Sequence, residues 1–184
     1  MYQIKVTLER IYPLIWRRLQ TKDCTLDELH GLIQVAMGWE FEHPYSFRIG
    51  GIEFVDQEMT DDDDEVRDSY KTLLSEVIPE QNRRPRFQYE YDFGDGWMHQ
   101  LIVEDRFPAK KEAEYPVCVA GERAGPPEDC GGPYGYADLV EAMGDVNHPR
   151  HEEFVEWIGE EFHPERFDLK AVNKALRPKR KRRS

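Results

Sequence analysis

The stretch YEYDFGDGWMHQLIVE, Tyr89–Glu104, decides the fold class. It sets four aromatics, four acids and a histidine around a glycine-punctuated turn. The residues before it, RFQYEYDF, alternate Phe87, Tyr89, Tyr91 and Phe93 with Gln88, Glu90 and Asp92, the period of a half-buried strand. Asp95-Gly96 is a common two-residue hairpin turn, and as such it would pair Gly94 with Trp97, Phe93 with Met98 and Asp92 with His99. A carboxylate facing an imidazole raises the histidine pKa and fixes its tautomer, which suits acid–base work or metal binding. The plainer reading is a cross-strand polar pair that stabilises by roughly 0.2–1 kcal/mol. Either way the segment predicts an antiparallel hairpin.

Outward from the hairpin, strands and helices do not alternate regularly. YQIKVTLERI sets Ile4, Val6 and Leu8 on one face and Lys5, Thr7 and Glu9 on the other, and LIWRRLQTK follows as a second strand after Pro13. Arg17 and Arg18 then lie on opposite faces, so one of them is a candidate pocket residue. In TLDELHGLIQVAMGW the period changes: Thr25 and Glu28 form a capping box, Leu29, Leu32, Ile33, Ala36 and Met37 follow helical spacing, and Gly38 suits the left-handed position that ends a helix. YSFRIGGIEFVD reads as two short strands around Gly50 and Gly51, and SYKTLLSEVI as a short helix. The run Asp61 to Glu65 has neither the alternating ligands nor the internal glycine of a calcium loop and reads as solvated loop. From Pro108 to Pro133 the chain reads as loop. Helices follow at Tyr136–Met143, from near Pro149 with Phe154, Trp157, Ile158 and Phe162 on one face, and after the capping residue Asp168. The fold expected is α+β, one domain over residues 1–176 with a mainly antiparallel sheet, packed helices and a helical C-terminal part.

The 184 residues, 39% of them hydrophobic with nine Phe, nine Tyr and four Trp, are enough for one core. No apolar run reaches the length of a membrane span, and no membrane partner is expected. Three cysteines without metal-finger spacing fit a reducing cytoplasm. The net charge is −12, yet the tail RPKRKRRS carries six of the 25 basic residues: Arg177, Lys179, Arg180, Lys181, Arg182 and Arg183. An acidic body repels phosphate backbones, whereas a flexible basic tail attracts them. Residues 177–184 are therefore expected to be disordered when free and to carry any nucleic-acid contact.

A second unusual segment, YPVCVAGERAGPPEDCGGPYGY from Tyr115 to Tyr136, is dense in glycine and proline yet carries Glu128, Asp129 and Cys130. Long loops of this kind tend to be functional. YPLIWRRL, LDELHGLIQVAMGW, YEYDFGDGWMHQLIVE, this segment and FHPERFD together resemble the plasmid pRiA4b ORF-3-like family, from about Ile4 to Phe167. The pairing of YDFGD with PPEDCGG is the specific mark. The resemblance implies a compact α+β domain from plasmid and mobile-element settings, with one branch labelled transposon passenger protein or resolvase. Strand exchange needs a nucleophilic serine or tyrosine amid arginines. The four serines, Ser46, Ser69, Ser75 and Ser184, lie outside the characteristic motifs, which leaves Tyr89, Tyr91 and Tyr134.

Three functions compete. The leading one is a non-catalytic binding module whose groove is built from Arg17, Trp39, His43, Tyr91, Trp97, Cys130 and Tyr134. The second is a metal-assisted hydrolase or phosphoester-acting enzyme that gathers Asp92, Asp95, His99, Glu128 and Asp129 in one cleft, with Asp92, His99 and Asp129 as ligands of a divalent metal cofactor. The third is a protein-interaction adaptor presenting Trp39, Trp97 and Tyr134 to a protein partner. Both catalytic and binding readings require the YDFGD and PPEDCGG motifs to meet.

Overall fold

The computed structural model describes residues 1–56, 66–79, 84–109, 113–159 and 162–177. The acidic run Asp61–Glu65 and the tail beyond Arg177 lie outside the described residues. In chain order the elements are β1 (Tyr2–Leu8), β2 (Trp16–Thr21), α1 (Leu26–Met37), β3 (Tyr45–Ile49), β4 (Ile52–Val55), β5 (Val66–Asp68), α2 (Leu74–Val77), β6 (Arg86–Tyr91), β7 (Trp97–Arg106), β8 (Val117–Glu122), α3 (Gly132–Gly144), α4 (His151–Ile158) and α5 (Leu169–Leu176). The strands form one sheet in the order β5-β4-β3-β6-β7-β1-β2-β8. Its pairs are antiparallel except β4 with β5, so the fold is α+β with a mostly antiparallel sheet, as the sequence indicates.

The register carries the hydrophobic alternation across the sheet. Tyr91 pairs with Trp97, Tyr89 with His99 and Phe87 with Leu101, while Leu101 pairs onward with Val6 and Val6 with Arg17. These side chains share one buried face, because paired residues in a ladder point the same way. The other face is polar, with Arg18 bound to Glu104 at 2.6 Å and Gln3 and Gln20 hydrogen-bonded across strands.

Over the buried face lies α1. Its N-terminus has the full capping box: Thr25 Oγ accepts from Glu28 N, and Glu28 returns a carboxylate to Thr25 N. Gly38 ends it at φ +91°, a left-handed conformation that glycine adopts at little cost. Leu26, Leu29, Ile33, Ala36 and Met37 face the core.

Three local readings are corrected. β8 runs through the expected loop Pro108–Pro133, and α3 begins inside the glycine-rich motif at Gly132. Strand β6 stops at Tyr91, so Phe93 does not continue the core alternation and is 52% exposed. In α4 only Phe154 is buried; Trp157 is exposed and Phe162 lies past the helix end.

Candidate functional site

The hairpin turn is Asp92–Gly96, not Asp95-Gly96 alone. Asp92 takes φ +55°, a left-handed position that aspartate tolerates better than most residues, and its Oδ1 accepts from Gly94 N at 2.9 Å and Asp95 N at 3.2 Å. His99 therefore lies opposite Tyr89, and the expected Asp92–His99 pair does not form. His99 is fully buried, with Nδ1 2.9 Å from the Trp97 carbonyl, and burial holds its pKa down at about 3. The expectation of a raised histidine pKa is overturned: with no carboxylate beside it, desolvation governs.

The two motifs do meet. Asp95 Oδ2 accepts from Gly131 N at 3.1 Å, and Gly132, at φ +67°, lies so close to the Asp95 carbonyl that a Cβ would collide with it. Next to this junction, Glu128 Oε1 accepts from Tyr91 Oη and Glu40 N, both at 2.9 Å. Tyr91 Oη also accepts from Glu42 N at 3.2 Å. PPED is thus tied to the segment following α1 through a tyrosine of β6.

Several groove residues expected from the sequence instead form the core. Trp39, Tyr91 and Trp97 are buried, with Trp39 stacked on Tyr91 at 4.8 Å between ring centroids and donating Nε1–H to the Pro126 carbonyl. Arg17 is buried too. Its guanidinium donates to the carbonyls of Ala36, Trp16 and Glu122 and lies over the Phe167 ring, and burial lowers its pKa to about 10. Burial pushes the Cys130 thiol up to about 12, so it is not a ready thiolate. Tyr134 is exposed, but without Trp39 and Trp97 beside it on the surface the expected aromatic patch is absent among the described residues. Tyr89 and Tyr91 are buried with their hydroxyls hydrogen-bonded and their pKa values raised by desolvation, while Ser46 and Ser69 are buried; none is presented as a nucleophile.

His43, not His99, is the histidine that meets the carboxylates. Its Nε2 lies 3.1 Å from Asp129 Oδ1 and 3.7 Å from Asp92 Oδ2. Glu42, His43 and Asp129 each offer a donor atom within 4.8 Å of the others. His43 also lines a cleft of about 610 Å³ bounded by Asp27, Glu28, His30 and Gly31 of α1, Phe41, Pro44 and Tyr45, Val55 and Asp56 at the end of β4, Tyr70, and Phe93 of the hairpin turn. No Lys or Arg is among the described residues lining it. Phe41, Tyr70 and Phe93 are each 52% exposed, a clustering of solvent-facing aromatic rings at one opening. Below them His30 stacks flat on Tyr45 with centroids 3.7 Å apart, its Nδ1 2.7 Å from Tyr89 Oη, and burial lowers its pKa to about 3. Tyr45 Oη donates to Asp27 Oδ1 at 2.9 Å, and desolvation raises the Asp27 pKa.

The sequence reading missed most of this cleft. One available signal was WEFEHP, where Phe41 sits between two glutamates three residues after a helix-ending glycine.

A sequence model described as plasmid pRiA4b ORF-3-like protein matches residues 1–171. An uncharacterized protein of Sinorhizobium fredii, y4hQ, is 37% identical over 178 residues, covering 95% of this chain and 89% of that protein. The crystal structure of a protein of unknown function from Methanosarcina mazei, MM3350, superposes with a TM-score of 0.82 at 36% identity, covering 92% of this chain and 95% of that one. Among the described residues no helix is long and apolar enough to cross a membrane.

Proposed function

The chain belongs to the plasmid pRiA4b ORF-3-like family, and from that premise we propose, on the geometry of the cleft, that it is a non-catalytic binding module for an organic cation. The observation that carries this reading is the composition of the 610 Å³ cleft: exposed aromatic rings and carboxylates, with no Lys or Arg among the described lining residues. Aromatic faces attract ammonium and guanidinium groups, by about 0.5–1 kcal/mol per contact at exposed sites. Asp27 is the natural counter-charge. Desolvation makes its anion costly, and an arriving cation offsets that cost. The same cleft disfavours phosphate, so contact with nucleic acid is proposed for the basic tail alone. Of the histidines the hydrolase reading could use, His99 is sealed in the core, while His43 reaches Asp92 and Asp129.

The test is calorimetric titration of the full chain with Nα-acetylarginine amide, Nα-acetylcitrulline amide as its neutral isostere, and an arginine-containing heptapeptide. The acetylated arginine amide should bind and the acetylated citrulline amide should not. Phe93→Ala should weaken the former about two- to fivefold. Tighter binding of the peptide places the cation on a polypeptide; equal binding indicates a free amine or guanidine. Indifference to the charge, or no binding of any probe, removes the reading.

A further inference from the structure

The junction of the two motifs holds a second cluster, beside the aromatic part of the cleft. We propose that Glu42, His43 and Asp129 bind a divalent transition-metal ion, with Asp92 directed at the same point.

Three chain segments bring the donors together, and each is fixed by contacts that do not involve the donors themselves. The segment carrying Glu42 and His43 is pinned by Glu40 N to Glu128 Oε1, Phe41 N to Gln34 Oε1 and Glu42 N to Tyr91 Oη. Asp92 N donates to the Pro44 carbonyl at 2.9 Å, locking the hairpin turn to the same segment. Asp129 follows the anchored Glu128 and precedes the Gly131–Asp95 contact. Such support is what a precise ligand set requires.

The His43 Nε2 atom points to a ligand independently of the acids around it. It is cut off from solvent and has no hydrogen bond of acceptable geometry, although Asp129 Oδ1 is 3.1 Å away; the distance qualifies as an ion pair but the direction does not qualify as a hydrogen bond. Asp92, whose side chain is only 9% exposed, spends Oδ1 on its own turn and turns Oδ2 toward that nitrogen. Among the described residues no Lys or Arg pairs with Glu42, Asp92 or Asp129, so no permanently charged side chain answers these carboxylates.

The spacing fits a metal. Bonds of about 2.0–2.2 Å place adjacent donors about 3 Å apart and opposite ones about 4 Å apart. The His43–Asp129 separation already matches the first, and exposed Glu42 has the freedom to close the 4.8 Å spread. One imidazole nitrogen among carboxylates favours manganese, iron, cobalt or zinc over calcium, which takes oxygen donors throughout.

The full chain, freed of metal by a chelator and dialysed, is titrated calorimetrically with Mn2+, Zn2+ and Mg2+ alone, without any organic ligand. One equivalent of Mn2+ or Zn2+ should bind, more tightly than Mg2+. His43→Ala and Asp129→Asn should each weaken it by at least about tenfold, since even loss of an outer-sphere partner costs 10–100-fold. Asp129→Asn keeps the fold testable: the side chain is 65% exposed, and asparagine tolerates the φ of +54°. His148→Ala, at the separate Asp138 pair, should change nothing. Absence of saturable binding, or binding that follows His148 rather than His43, overturns the proposal. Phe93→Ala affects only the organic-cation reading, so the two fail separately.

Discussion

At the scale of single residues, burial rather than pairing governs the two core histidines. His30 and His99 are both held neutral, with pKa values near 3 against an unfolded value of about 6.5. A lowered pKa gives stability that is complete above the unfolded value and lost as pH falls toward the folded one. Each histidine then removes about 1.4 kcal/mol per pH unit once pH is well below 6.5, so the pair removes about 3 kcal/mol per unit. Asp27 opposes this in the acid range, because its raised pKa favours the protonated, folded form. Urea unfolding at pH 7, 6 and 5 should show the slope, and His30→Gln should halve it; a stability flat across this range would contradict neutral burial. His99 also shows where reading a sequence stops. That it points to one face of a hairpin was legible, but which residue it opposes depended on a turn three residues longer than the dipeptide suggested.

At the scale of elements, the parts with local chemical signatures were legible. The capping box of α1, its glycine stop, the alternation of β1 and the Asp168 cap of α5 are each written within a few consecutive residues. β8 was not, because VCVAGE has little alternation and gains its strand conformation by pairing with β2. The extended hairpin turn was hidden for another reason: Asp92 leaves the strand conformation in a turn held by its own carboxylate as well as by Gly96 N bonded to its carbonyl. Replacing it separates backbone from charge. Asp92→Asn keeps an acceptor and tolerates a positive φ, whereas Asp92→Ala loses the acceptor and is strained there. Alanine should cost roughly 1–3 kcal/mol in urea unfolding and asparagine under about 1 kcal/mol. Equal losses would mean that the negative charge, not the turn, is what stability needs.

At the scale of the whole molecule, charge is divided between an acidic body and a basic end. The chain carries −12 overall and −18 once the six basic residues of RPKRKRRS are set aside. The body therefore repels polyanions and attracts cations, in keeping with a cleft whose described lining holds carboxylates and no Lys or Arg. Affinity for nucleic acid is proposed to come from the end of the chain, against that field. Arg177, the one tail residue described, is exposed and only 3.7 Å from Glu114, so part of its charge is already answered by the body. At most six phosphates can be neutralised, which limits the slope of log K against log salt on duplex DNA to about −5. Such contact reads the backbone and not the bases, so unrelated duplexes should bind alike. Titrating labelled duplexes and single strands over a salt series, with the full chain and a version ending at Leu176, tests both points. Truncation should abolish binding, because the remaining −18 repels the phosphates; affinity that survives it, or a slope clearly steeper than −5, would require a basic surface on the folded body.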